Sequence, residues 1–239
     1  MIRAAIVAVL LTVYTLIASP FLLLHAWITG NADLLYRVGL SGAYAVGRLV
    51  GLQIKIEGRE KIPQGTCLFL ANHTSFVDAL PIMWAIPRRV GVLLKKSLFS
   101  IPIIGWAFRL AKFVPVERGD KASGIASVDL AADRIKQGMS FLAYPEGTRS
   151  YDGRLLPFKK GVFIIAIKAE TQIVPMVMTN GHRIAPKGSL RITPGEVTVR
   201  FGDPIDATDY TVDRRAELAQ RVRQAMAALL PPDQKPLDL

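Results

Sequence analysis

Cysteine is all but missing from this chain of 239 residues, with Cys67 standing alone. A single thiol excludes an intramolecular disulfide and any metal site built on several cysteines, and its place in an apolar stretch reads as a small buried hydrophobe in a strand. Histidine is nearly as scarce, at three residues. The serine-hydrolase elbow G-x-S-x-G, the P-loop and the dinucleotide glycine fingerprint are all lacking, so covalent serine catalysis and nucleotide use lose their usual carriers. Helix-turn-helix, zinc-finger and aromatic RNA-binding signatures are lacking too, which leaves a nucleic-acid partner without a motif. No internal repeat or low-complexity segment is found.

Acidic residues are the minority charge, 19 against 30 Lys and Arg, for a formal net charge of +11, while 51% of the chain is hydrophobic. A basic chain can bind nucleic acid by releasing counterions from phosphates. Basic and apolar together fit a membrane surface better, where a well-placed cation contributes about 1 kcal/mol on anionic lipid. From Ala4 to Ile28 there are 25 residues without a charged side chain, enough to cross a hydrocarbon core of about 30 Å. A secretory signal would have a shorter apolar region, of about 7–15 residues. Pro20 is expected to kink or split this helix, and Tyr14, His25 and Trp27 to sit at an interface.

A second helical stretch runs from Ala32 to Leu52. Arg37 and Arg48 share one face of it, placed to snorkel toward headgroups. Gly39, Ala43, Gly47 and Gly51 recur at every fourth position, a small-residue stripe that predicts a helical hairpin with the first segment. Crossing the bilayer and dipping into one leaflet both stay open, because Lys and Arg are not distributed asymmetrically enough to choose. Residues 1–51 thus read as a two-helix membrane motif and residues 52–239 as a separate domain.

Past residue 52 short apolar runs alternate with helix-period segments. "LQIKIEG", "TCLFLAN", "RVGVLLK", "KFVPVE", "MSFLAYPEG", "TQIVPMVMT" and "EVTVRFG" read as strands, with helices at about 76–86, 98–110, 121–137, 160–170 and 211–229. The alternation predicts an α/β fold: a central, mostly parallel sheet flanked by helices, carrying the N-terminal hairpin. In such sheets functional groups collect where strands end.

His73 stands at one strand end, in "CLFLANHTSFVDALP". Five residues turn 140° on an ideal helix, so His73 meets Asp78 only if the histidine precedes the helix and the aspartate lies in its first turn. A carboxylate on one imidazole nitrogen would fix the tautomer and leave the other as a base. Ser75-x-x-Asp78 also fits a capping box, which would make Asp78 merely structural. A second strand end carries "AYPEGTRSYDGRLLPFKKG", where Pro145 and Gly147 break regular structure and Glu146, Thr148 and Arg149 project from a turn, with Lys159 and Lys160 beyond. Lys95 and Arg118 end two further strands. Cations at strand ends suit a phosphate, although a charged loop is often only solvated. His182, in the Gly-rich turn "TNGHRIAPKG", reads as structural.

These residues resemble a known family. "NHTSFVD" matches the N-H-x-x-x-x-D motif of the glycerolipid acyltransferases, and "KFVPVERG", "YPEGTRS" and "IVPMVM" resemble their second, third and fourth blocks, in order. "LKKSLFSIPIIGW" is similar to the same stretch of the bacterial 1-acyl-sn-glycerol-3-phosphate acyltransferases. The resemblance covers about residues 52–205, and the N-terminal pair resembles that family's two-helix membrane motif. It implies transfer of a fatty acyl group from a thioester, on coenzyme A or acyl carrier protein, to the 2-hydroxyl of lysophosphatidic acid. The product would be phosphatidic acid, formed at the cytoplasmic membrane by a domain facing the cytoplasm, without metal or cofactor.

Carried over by motif position, His73 would be the general base and Asp78 its orienting partner, with no acyl-enzyme. Glu146, Gly147, Thr148 and Arg149 would shape the acceptor site, Lys95 and Arg118 would bind the phosphate, and amides near Ser75 would stabilise the oxyanion. Glu117, Tyr144 and Ser97 stand where the family more often has Asp, Phe and Glu, which bears on the acceptor headgroup. Another lysolipid acceptor and a non-catalytic lipid-binding protein are the alternatives.

Overall fold

A computed structural model describes residues 2–117, 120–189 and 191–238, with only the backbone of Lys121. Helix α1 (Ile2–Thr29) is followed by α2 (Asp33–Leu49), and β1 (Leu52–Glu57) begins three residues later. Then come β2 (Cys67–Ala71), α3 (Ala79–Ala85), β3 (Gly91–Lys95), α4 (Ile104–Leu110), β4 (Val114–Val116), α5 (Lys121–Lys136) and β5 (Phe141–Ala143). The chain continues through α6 (Gly161–Ala169), β6 (Gln172–Thr179), α7 (Gly181–Ile184), β7 (Gly195–Phe201), β8 (Ile205–Asp206) and α8 (Arg215–Leu229).

The strands form one sheet in the order β1-β7-β6-β2-β5-β3-β4, with β8 pairing on β6. Every pairing is parallel except those of β6 with β7 and with β8. β2 shows why the sheet takes helices on both faces. Leu68 and Leu70 point into a core shared with α5, α6 and α8, whereas Cys67, Phe69 and Ala71 point into a second core with α3 and the segment around α4. All five are fully buried, the signature of a central strand covered on both sides.

Three expectations are corrected. α1 is not split at Pro20 and continues to Thr29; at roughly 1.5 Å per residue it is about 42 Å long. The hairpin forms, but not through the small-residue stripe. Tyr14 donates to the carbonyl of Val38 at 2.7 Å and packs on Gly42, where an added Cβ would lie 2.2 Å from its ring. Gly47 turns instead toward Leu52 and Leu80. Tyr14 is therefore a helix–helix contact. The helix expected over 98–110 is a 3-10 turn at Lys96–Ser100 and then α4, broken where Ile103 takes a left-handed φ of 64°.

Candidate active site

β2 and β5 are parallel neighbours with Leu70 opposite Ala143. Three residues further on, His73 and Glu146 therefore leave the sheet at the same height. Asn72 fixes the exit of β2, because its amide donates to the Met178 carbonyl at 3.0 Å and accepts the Met178 N–H at 2.7 Å. That side chain completes a ladder rung on β6 which the backbone no longer makes. Asn72 has no role in the motif reading above, although its place beside the histidine was visible.

His73 is held at four points. Its N–H donates to Glu146 Oε1 at 2.7 Å, and its carbonyl accepts from Ser150 N at 2.7 Å. The ring lies 4.3 Å from that of Tyr144 with 24° between planes, and Nδ1 lies 2.8 Å from Asp78 Oδ2. An ionised carboxylate only accepts, so Nδ1 carries the proton and Nε2 is left as the basic nitrogen. The imidazole is 21% exposed and Asp78 not at all, so of the pair only the histidine ring is open to solvent.

Asp78 lies in the N-cap position rather than in the first turn of α3, and its side chain makes no cap bond into the helix. The chain from His73 to Val77 wraps around it instead, and Oδ2 also accepts from Thr74 N at 2.6 Å and Ser75 N at 2.8 Å. Two consequences correct the reading above. Capping does not explain Asp78, and the amides of Thr74 and Ser75 are already engaged, so neither is free for an oxyanion. Behind the carboxylate, a Cβ on Gly181 would stand 2.9 Å from Asp78 Oδ1 and 2.6 Å from Thr74 Oγ1. Only glycine permits that approach.

Glu146 is 2% exposed, and it faces inward. Besides His73 N, it accepts from Leu156 N at 3.1 Å. Burial raises its pKa from 4.5 to about 8, while the two backbone bonds pull it down. Between these values the folded chain keeps a proton that the unfolded chain releases, so this group's contribution to stability falls as pH rises from 4.5 through 8. Glu146→Gln should remove that slope from the pH dependence of the thermal midpoint. It should also lower stability by about 1–3 kcal/mol, because an amide NH2 would face a backbone donor.

The remaining acceptor-side residues lie around the same turn. Gly147 takes φ of +66°, and the Lys159 side chain crosses it, with Nζ 3.1 Å from where a Cβ would be. Thr148 is exposed and Arg149 half-buried. Lys187, which the motif reading omitted, donates to the Arg149 carbonyl at 2.7 Å and sits 3.9 Å over the Tyr151 ring. Its only signal was a lysine in the Gly-rich turn. Arg149, Lys159 and Lys187 have no carboxylate partner among the described residues. Lys95 is exposed at the end of β3, opposite Val116; it lies two strands from β2 in the sheet. Arg118 lies outside the described residues. His182 packs on Gly153, and burial followed by the charge of Arg183 lowers its pKa.

The family model described as Acyltransferase matches residues 53–179, a span that includes β2, α3, β5 and the whole of His73–Arg149. The chain belongs to the acyltransferase family. It is 35% identical over 206 residues to a 1-acyl-sn-glycerol-3-phosphate acyltransferase of Limnanthes douglasii, covering 84% of this chain and 73% of the relative. It is 32% identical over 182 residues to the human 1-acyl-sn-glycerol-3-phosphate acyltransferase alpha, covering 74% and 64%. The crystal structure of the 1-acyl-sn-glycerophosphate (LPA) acyltransferase PlsC from Thermotoga maritima matches with a TM-score of 0.80 and 24% identity, over 95% of this chain and 93% of that one. At that identity the likeness shows a shared fold, here extending through the N-terminal helices.

Proposed function

We propose that this acyltransferase moves a fatty acyl group from a thioester to the 2-hydroxyl of 1-acyl-sn-glycerol-3-phosphate, giving phosphatidic acid for phospholipid synthesis. The observation that carries the reading is the His73–Asp78 contact at 2.8 Å, with the imidazole partly open to solvent beside a turn whose cations have no carboxylate partner among the described residues. His73 Nε2 takes the hydroxyl proton as the oxygen attacks the thioester carbonyl. Asp78 stabilises the resulting imidazolium, which returns the proton to the departing thiol sulfur. A C–O bond replaces a C–S bond and protons balance, so the step calls for no metal or cofactor.

Two side chains that could otherwise carry an acyl group are poorly placed. Ser75 is fully buried, and its Oγ accepts from Val77 N at 3.2 Å. Cys67 is fully buried within β2, and burial pushes its thiol pKa up to about 11. Both placements support direct transfer, with the donor thioester on coenzyme A or acyl carrier protein.

Arg149 and Lys159 are suited to the acceptor's phosphate, and the family resemblance adds Lys95 and Arg118 to that role. Glu146 acts here as a positioning residue through the His73 backbone. Arg149→Ala should raise the acceptor KM about tenfold or more, with a smaller effect on the donor KM; steady-state kinetics with each substrate varied checks this.

α1 is long and apolar enough to cross a membrane. Its exposed Val9, Val13, Leu16, Phe21 and Trp27 suit lipid on the cytoplasmic membrane, with residues 52–239 facing the cytoplasm. Ile101 just before α4, and Ile104 and Trp106 within it, are exposed as well, and α4 packs on α1. Acceptor and product are both lipids, so a site at the interface need not extract them. Purified protein given labelled palmitoyl-coenzyme A and lysophosphatidic acid should yield phosphatidic acid, in preference to acylated lysolipids without the terminal phosphate. No product with either thioester donor would overturn the assignment.

A further inference from the structure

Between β5 and α6 the connection 144–160 contains neither helix nor strand, yet it carries every contact that fixes the His73 backbone. Ser150 N donates to the His73 carbonyl, and Leu156 N donates to the same Glu146 carboxylate that holds the His73 N–H. An irregular connection of this length needs an outside support if it is to hold one geometry. The segment that follows α8 supplies it. Leu155 N donates to the Gln234 carbonyl at 3.1 Å, and Arg154 Nη1 to the Lys235 carbonyl at 2.9 Å.

The same segment is anchored at both ends. Asp238 accepts from Arg223 Nη2 at 2.5 Å and Nη1 at 3.2 Å, a forked pair with α8. Asp233 accepts from Arg183 Nη2 at 3.0 Å, which ties it to α7, the element whose Gly181 abuts Asp78. Gln234 is 1% exposed between these anchors. One arm of contacts therefore ends on the His73 backbone and the other behind the Asp78 carboxylate.

We infer that residues 231–238 form a strap that positions the His73–Asp78 pair, with Asp233, Gln234 and Asp238 as positioning residues that touch no substrate. The strap lies about 80 residues beyond the turn it supports and outside the matched family region. The inference rests on His73 acting as the base.

The test compares wild type, the double variant Asp233→Ala/Asp238→Ala, and a chain lacking residues 231–239. It uses hydrogen exchange followed by mass spectrometry beside steady-state kinetics. The expected result is at least tenfold faster amide exchange across 73–78 and 146–156 with β2 and β6 unchanged, and a kcat at least tenfold lower with the donor KM within twofold. If the deletion does not fold, the double variant carries the test alone. Unchanged exchange across 73–78 overturns the strap, and so does faster exchange with kcat within twofold of wild type. A wild type without transferase activity would instead remove the functional reading, while the exchange comparison would still decide whether the strap holds His73.

Discussion

His73→Ala is expected to lower kcat by roughly 10³-fold, within the range that a positioned general base contributes, and to leave the acceptor KM within about twofold. The substitution removes Nε2 and nothing else that could accept the hydroxyl proton at that point. It should not unfold the protein. Asp78 Oδ2 would keep the two backbone donors of Thr74 and Ser75, and the His73 backbone bonds to Glu146 and Ser150 do not depend on the imidazole. Product formation measured beside a thermal melt checks both halves. Near-wild-type turnover would mean that another group takes the proton.

Asp78→Asn is expected to reduce kcat by a factor on the order of 10⁴, by analogy with carboxylate-to-amide changes behind other catalytic histidines. The size of the loss follows from what converges on one oxygen. Oδ2 receives Nδ1–H, Thr74 N–H and Ser75 N–H. An amide oxygen can still accept such bonds, so the wrapped loop survives. It carries no charge to stabilise an imidazolium, and it no longer excludes the tautomer with the proton on Nε2. A residue serving only as a helix cap would tolerate the change, because Asn caps as well as Asp. Comparing kcat with the melting midpoint separates these cases: the account requires a large kinetic loss with a small thermal one.

Much of the fold was legible because its signals are local. β2 alternates between two cores while remaining apolar throughout, and each strand expected after residue 52 is present, β4 and β5 shortened to three residues. The errors share another origin. The stripe of small residues in α2 has the spacing of a helix contact, but its Gly47 faces β1 and α3, while α1 rests on Gly42. Periodicity ranks faces without saying which neighbour takes each. Likewise Ser75-x-x-Asp78 has the spacing of a capping box, and the chain uses that spacing to encircle a carboxylate.

At the candidate site, His73 and Asp78 were legible as a pair because five residues separate them. Glu146 was visible as a charged residue in a turn, but its inward direction depends on the His73 and Leu156 amides that receive it. Lys187 and the strap were out of reach, since Arg154 meets Lys235 across 81 positions. No local pattern encodes such a contact.

Direct transfer with His73 as base is the central claim, and an acylation experiment without acceptor tests it most directly. Purified protein would be mixed with radiolabelled acyl thioester in the absence of lysophosphatidic acid, quenched, and counted for label bound to protein, then chased with acceptor. The account predicts no label on the protein at any time and release of free thiol only once acceptor is added. One equivalent of label on the protein before the chase, passing to phosphatidic acid afterwards, would contradict it.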